Sequence, residues 1–82
     1  MNIEVVVAEK DALDLRIDNL TVAEVLRVYL NEQGVDFAAW RREHPSKPLV
    51  FHIKSSHVKK SVRDAITAIK KDCDKLLDAV KK

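Results

Sequence analysis

The chain has 82 residues, of which 46% are hydrophobic and 34% are charged, with a net charge of +2. This length allows one domain with a modest core, and the apolar content excludes a disordered chain. No apolar run approaches the roughly 20 residues of a membrane span, and the amino terminus lacks the basic and apolar regions of a signal peptide. A single cysteine, Cys73, excludes an internal disulfide. We therefore expect a soluble intracellular protein.

The charges are distributed unevenly along the chain. Residues 1–53 carry six Lys or Arg against nine Asp or Glu, which gives −3, whereas residues 54–82 carry nine against four, which gives +5. A net charge of +2 does not by itself indicate a nucleic-acid-binding protein. The basic segment keeps one alternative open, a standalone module that binds nucleic acid through a lysine-rich carboxyl-terminal helix. The simpler interpretation is that these lysines solvate the outside of that helix.

The first half of the chain predicts a β-hairpin followed by a helix. Residues 3–8 and 13–18 alternate with the period of a strand, and a short polar link joins them. Thr21 and Glu24 then have the spacing of a capping box. Apolar residues continue at helical spacing, and Gly34 lies where a helix requires a left-handed terminator. This pattern predicts a helix over about residues 21–32.

The segment 35–39 alternates apolar and polar residues, which predicts a third strand. In this alternation Phe37 points toward the core and Trp40 points away from it. A proline cannot donate to a strand ladder, so we expect the strand to end near His44. Residues 45–48 are typical of a tight turn.

A fourth alternating run over residues 49–54 leads into one long helix, predicted over about residues 56–80. Most of its apolar residues recur at alternating steps of four and three, which is the heptad pattern of a helix that meets a partner helix. The apolar residues of this helix are Val58, Val62, Ala65, Ile66, Ile69, Cys73, Leu76, Leu77 and Val80.

These elements predict a single α+β domain over residues 1–82. Its order is ββαββα, with a four-stranded, largely antiparallel sheet and two helices packed on one face. The residues predicted to form the apolar sheet face are Ile3, Val5, Val7, Leu13, Leu15, Ile17, Val35, Phe37, Ala39, Leu49, Phe51 and Ile53.

The final helix is too long for the sheet that it covers. About 25 residues at 1.5 Å each span ~37 Å, whereas strands of six or seven residues extend only ~20–23 Å. The last turns, which carry Cys73, Leu76, Leu77 and Val80, are therefore expected to lack cover within the chain. Each of these side chains contributes about 1.5–3 kcal/mol when fully buried, which favours cover by another polypeptide. The alternative is that the helix bends or frays and these residues pack loosely on their own domain.

The residues also resemble a known family, the small alpha-like subunits of RNA polymerase. Its members include archaeal subunit L and the eleventh subunit of eukaryotic RNA polymerase II, and they are related to the dimerisation part of bacterial alpha. The family's strand block Phe-Ala-Ala-Tyr, followed by His-Pro, is matched by Phe37-Ala38-Ala39-Trp40 and His44-Pro45. Its helix-opening block His-Thr-Leu-Gly-Asn-Leu-Leu-Arg is matched by residues 20–27, with departures at Leu20, Ala23 and Glu24.

The resemblance implies a non-catalytic, cytoplasmic subunit of DNA-directed RNA polymerase. Such a subunit pairs with the larger alpha-like subunit of the same polymerase, and the pair is the platform on which the catalytic subunits assemble. Contact with DNA is then only indirect, through the complex, and self-pairing of the isolated chain stays open. The residues that we expect at the subunit interface are Leu26, Tyr29, Leu30, Val62, Ile66, Ile69, Cys73, Leu76, Leu77 and Val80.

Two residues outside this set are candidates for a second contact surface. Trp40, if it points outward, lies on the outer sheet face, where the alternative is a single exposed indole lying against an arginine. Arg27 matches the arginine of the family's helix block, and the alternative is an ordinary exposed helix arginine.

The sequence favours neither an enzyme nor a metal protein. No pair among His44, His52 and His57 has the close spacing of a zinc motif, even with Cys73 or Glu43 as a further ligand. The serines lack a nucleophile-elbow motif, and a phosphate-cradling glycine loop is absent because the chain has one glycine. We therefore expect no cofactor and no catalytic residue. His44 is expected to hydrogen-bond the turn, and Cys73 to act as a small buried hydrophobic residue.

Overall fold

The computed structural model describes residues 2–81, which fold into a four-stranded sheet and two helices. In chain order the elements are β1 Ile3–Ala8, β2 Ala12–Ile17, α1 Leu20–Glu32, β3 Phe37–Arg41, β4 Leu49–Lys54 and α2 Val58–Lys81. The strands lie in the order β1-β2-β4-β3, and every neighbouring pair is antiparallel. The predicted α+β class, the ββαββα order and the amino-terminal hairpin are confirmed.

The core lies between the sheet and the helices. β4 follows its predicted alternation, since Leu49, Phe51 and Ile53 are fully buried. They stand opposite Ile17, Leu15 and Leu13 of β2, and residues directly opposite in an antiparallel pair share a face. The remaining buried hydrophobic residues of the core come from the two helices: Ala23, Leu26, Leu30, Val58 and Ala65.

The register of β3 differs from the prediction. Trp40 stands opposite Phe51 and Ala38 opposite Ile53, so these two residues face the core, and both pack against it. Phe37 stands opposite Lys54 on the outer face and is 48% exposed. The predicted inward placement of Phe37 and Ala39 was therefore wrong, because a shift of one residue moves every side chain of a strand to the other face.

The reason for this shift lies at the end of α1. Gly34 has φ 78°, and its N–H donates to the Asn31 carbonyl, while Val35 N–H donates to the Leu30 carbonyl. This pair of bonds is a Schellman motif, in which Val35 packs onto the core before the strand begins. The expected glycine terminator is confirmed, but β3 begins two residues later than the apparent alternation.

Two further local predictions were wrong. α1 is capped by Asn19, whose side-chain oxygen accepts from Val22 N–H at 3.0 Å, and not by Thr21. A register shift between Val5 and Val7 places Val7 opposite Asp14 on the outer face. Such a bulge adds a residue to one strand and reverses the alternation beyond it.

The start of α2 is fixed to the hairpin turn. Val58 is fully buried, and its N–H donates to the Lys10 carbonyl at 3.2 Å. Ser55 N–H donates to the Asp11 carbonyl at 3.1 Å. Both bonds satisfy backbone groups at the point where the chain turns from β4 into the helix. Of the two helices described, neither is long and apolar enough to cross a membrane.

Candidate partner interface

The first half of α2 is covered by its own domain. Val58 and Ala65 are fully buried, and Val62 and Ile69 pack against the core. The last side-chain bond between the two helices joins the Tyr29 hydroxyl to Asp72 Oδ2 at 2.7 Å. This bond raises the pKa of Tyr29, because the neighbouring carboxylate favours the protonated phenol.

The second half of α2 is not covered. Every residue from Cys73 to Lys81 is exposed, and about nine residues at 1.5 Å each extend ~13 Å beyond Asp72. Leu76 is 66% exposed, Leu77 52% and Val80 73%. We call Cys73, Leu76, Leu77 and Val80 the distal patch. The expected burial of Cys73 is wrong within this chain, since its thiol is exposed.

A second apolar area on the helix side of the sheet is also exposed. Ile3 stands opposite Ile17 and Val5 opposite Leu15, so both residues of β1 share the face that the helices cover elsewhere. They are nevertheless 51% and 58% exposed, because β1 is the edge strand and the helices pack over the other strands. The sequence did not indicate this exposure, since alternation marks a face but not its position in the sheet.

The residues predicted for the interface fall into three groups. Leu26 and Leu30 are buried in the domain's own core, which corrects their expected place on a contact surface. Tyr29, Val62 and Ile69 are partly buried against the same core. The others, Ile66, Cys73, Leu76, Leu77 and Val80, are exposed and lie on one side of α2.

The two residues of the predicted second surface meet around Glu24. Arg27 donates from Nη2 to Glu24 Oε2 at 2.9 Å, and Trp40 donates from Nε1 to Glu24 Oε1. Trp40 is thus partly buried beneath α1, and its expected place on the outer sheet face was wrong. The hydrogen bonds from Arg27 and then Trp40 lower the pKa of Glu24, while Glu24 raises the pKa of Arg27. This cluster joins α1 to β3.

The outer sheet face is a polar surface of paired charges. His52 Nδ1 lies 2.8 Å from Asp14 Oδ1, and Arg16 lies 3.4 Å from Glu4. These residues line an open groove of about 670 Å³. His44 contacts Ser46 Oγ at 2.8 Å and accepts from Ser46 N–H, which confirms its predicted role in the turn. Within residues 2–81, no three potential metal ligands come together.

The fold is similar to that of a solved RNA polymerase subunit. The crystal structure of DNA-directed RNA polymerase subunit L from Thermoplasma acidophilum superposes with a TM-score of 0.81 and 15% sequence identity, covering 98% of this chain and 85% of that one. This chain therefore has the fold of subunit L. No family model matches the sequence, and no curated protein matches it. The resemblance indicated by residues 20–27 and 37–45 is confirmed at the level of the fold.

Proposed function

We propose that this protein is a non-catalytic subunit of a DNA-directed RNA polymerase, which pairs with the larger alpha-like subunit of that polymerase. The pair serves as the platform on which the catalytic subunits assemble, in the cytoplasm. The observation that carries the proposal is the uncovered distal patch of α2 in a domain with the fold of subunit L.

The energetics support a partner at the distal patch. Burial of a leucine or valine side chain contributes about 1.5–3 kcal/mol, and a small domain has only ~3–5 kcal/mol from its core. Three such side chains, Leu76, Leu77 and Val80, are more than half exposed at the end of one helix. An apolar surface of this kind, bordered by charged residues, is typical of a protein–protein contact.

The exposed face of β1 extends the proposed interface. Ile3 and Val5 lie on the helix side of the sheet, so a partner that covers the distal patch approaches from the same side. An interface built from a helix end and a strand edge covers more apolar area than either alone, which agrees with the size of stable subunit contacts.

The test is co-expression of the full chain with the larger alpha-like subunit from the same source, followed by size-exclusion chromatography. We expect one peak that contains both chains. Leu76→Asp places a charge in the apolar contact and is expected to separate the two peaks. Thr67→Asp is the matched control, because it adds the same charge at an exposed position on the opposite side of α2.

Leu76 is a better test position than Ile69, since Ile69 also packs against the domain's own core. Normal pairing by Leu76→Asp would contradict the proposal. A chain that binds DNA or RNA by itself, with a log affinity that falls steeply with log salt, would instead favour the nucleic-acid module. Nucleic acid offers no apolar surface to cover the distal patch, which is why we place this function second.

A further inference from the structure

The two borders of the α2 apolar seam have different chemistry. The seam runs through Val62, Ile66, Ile69, Cys73, Leu76 and Val80. In a heptad, the residues that flank such a seam decide which helix it accepts as a partner. On one border, directly after seam residues, lie Arg63, Lys70 and Leu77; on the other, directly before seam residues, lie Ala65, Asp72 and Ala79.

The tertiary structure occupies one of these borders. Ala65 is fully buried, and Asp72 accepts the hydroxyl hydrogen bond of Tyr29 from α1. This border of α2 therefore already faces α1. The other border stays free, because Arg63 and Lys70 are exposed and neither forms an ion pair with any residue in the described range 2–81.

We propose that the partner segment that packs along the free side of α2 is a helix of a different chain that places acidic side chains opposite Arg63 and Lys70. We call these two residues the basic border. This inference rests on the proposed function and adds the chemistry of the partner to it. Charge complementarity at flanking positions steers association and suppresses wrong partners more than it adds affinity.

The same border opposes pairing between two copies of this chain. In an antiparallel pair of α2 helices, the free borders of the two copies meet, so a cation faces a cation or Leu77 in any register. In a parallel pair, the free border of one copy would meet the border that α1 already covers in the other. Neither arrangement gives the basic border an acidic partner, and the homodimer that the sequence left open is thus disfavoured.

The first experiment measures binding of the larger alpha-like subunit to the full chain at about 50 mM and about 1 M salt, where screening lengths differ severalfold. The double variant Arg63→Glu, Lys70→Glu is expected to weaken binding by roughly tenfold or more at low salt, since it replaces two attractive contacts with repulsive ones. This loss should shrink at high salt.

The matched control is the double variant Lys60→Glu, Lys71→Glu. It changes the net charge equally, and both residues are exposed on the side of α2 away from the seam. We expect its binding to fall less than about threefold. Circular dichroism of both variants checks that the helix content is unchanged.

The outcomes separate the two proposals. Failure of the unaltered chain to bind the larger subunit would contradict the proposed function itself. Binding by the unaltered chain, with equal losses in the two double variants or a loss that persists at high salt, would overturn the acidic-partner inference and leave the proposed function standing.

A second measurement tests self-pairing. Sedimentation equilibrium of the isolated chain should give a monomer at low salt, and any self-association should increase with salt as the repulsion between basic borders is screened. The pair with the larger subunit should show the opposite dependence. A dimer of the isolated chain that tightens at low salt would overturn the inference.

Discussion

The two halves of α2 have similar sequences and opposite environments. Both carry apolar residues at heptad spacing, yet Val58 and Ala65 in the first half are fully buried, whereas Leu76 and Val80 in the second half are 66% and 73% exposed. The boundary lies at Asp72, where Tyr29 makes the last side-chain bond to the helix. The comparison shows that an apolar pattern states what a helix requires, while the extent of the sheet and of α1 decides whether the same chain supplies it.

The strongest test of this comparison substitutes one valine in each half. Val58→Asp buries a charge and is expected to lower the free energy of unfolding by at least about 3 kcal/mol, which is enough to unfold a domain of this size. Val80→Asp makes the same chemical change at an exposed position and should cost less than about 1 kcal/mol. Urea denaturation followed by circular dichroism gives both values. Equal losses would show that the second half is also packed within the isolated chain.

Cys73 offers a direct measure of cover over the second half. Its thiol is exposed in this chain, so a thiol-specific reagent should modify it readily in the native isolated protein. In the pair with the larger subunit, we expect the modification rate to fall by about tenfold or more, because access controls the reaction. Mass spectrometry follows the modification. An unchanged rate in an intact pair would place the partner elsewhere.

The support of the covered half depends on α1, which the Glu24 cluster fixes to β3. Because the pKa of Glu24 is lowered in the fold, its contribution to stability is present above its ordinary value of 4.5 and is lost as the pH falls through the lowered pKa. Trp40 is the only tryptophan, so its fluorescence reports this change. Glu24→Gln should remove the acid transition from the fluorescence titration, and a transition that survives in this variant would assign it to another group.

The smallest expected effect concerns the boundary between the halves. The pKa of Tyr29 is raised in the fold, so the bond to Asp72 stabilises the protein below the ordinary value of 10.0 and is lost as the pH rises through the raised pKa. Tyr29→Phe should lower the melting temperature slightly at neutral pH, and this difference should vanish in strongly alkaline solution. A difference that is independent of pH would mean that lost packing, and not the bond, is responsible.

Much of the site was predictable because its signals are local. Alternation over residues 49–54 follows from the two-residue period of a strand, and it gave the buried face of β4 correctly. Gly34 marked the end of α1, because a left-handed residue is needed there. The comparison of helix and strand lengths located the distal patch before any packing was known, since both lengths follow from fixed rises per residue.

The rest depended on contacts between residues far apart in the chain. The Schellman motif at Val35 moved the start of β3 and turned Trp40 inward, and the edge position of β1 left Ile3 and Val5 exposed. The sequence by itself determined the elements, their order and an apolar seam that exceeds its own scaffold. Only the tertiary structure decided which side of that seam is free, because the Tyr29–Asp72 bond places α1 along one border and leaves Arg63 and Lys70 on the other.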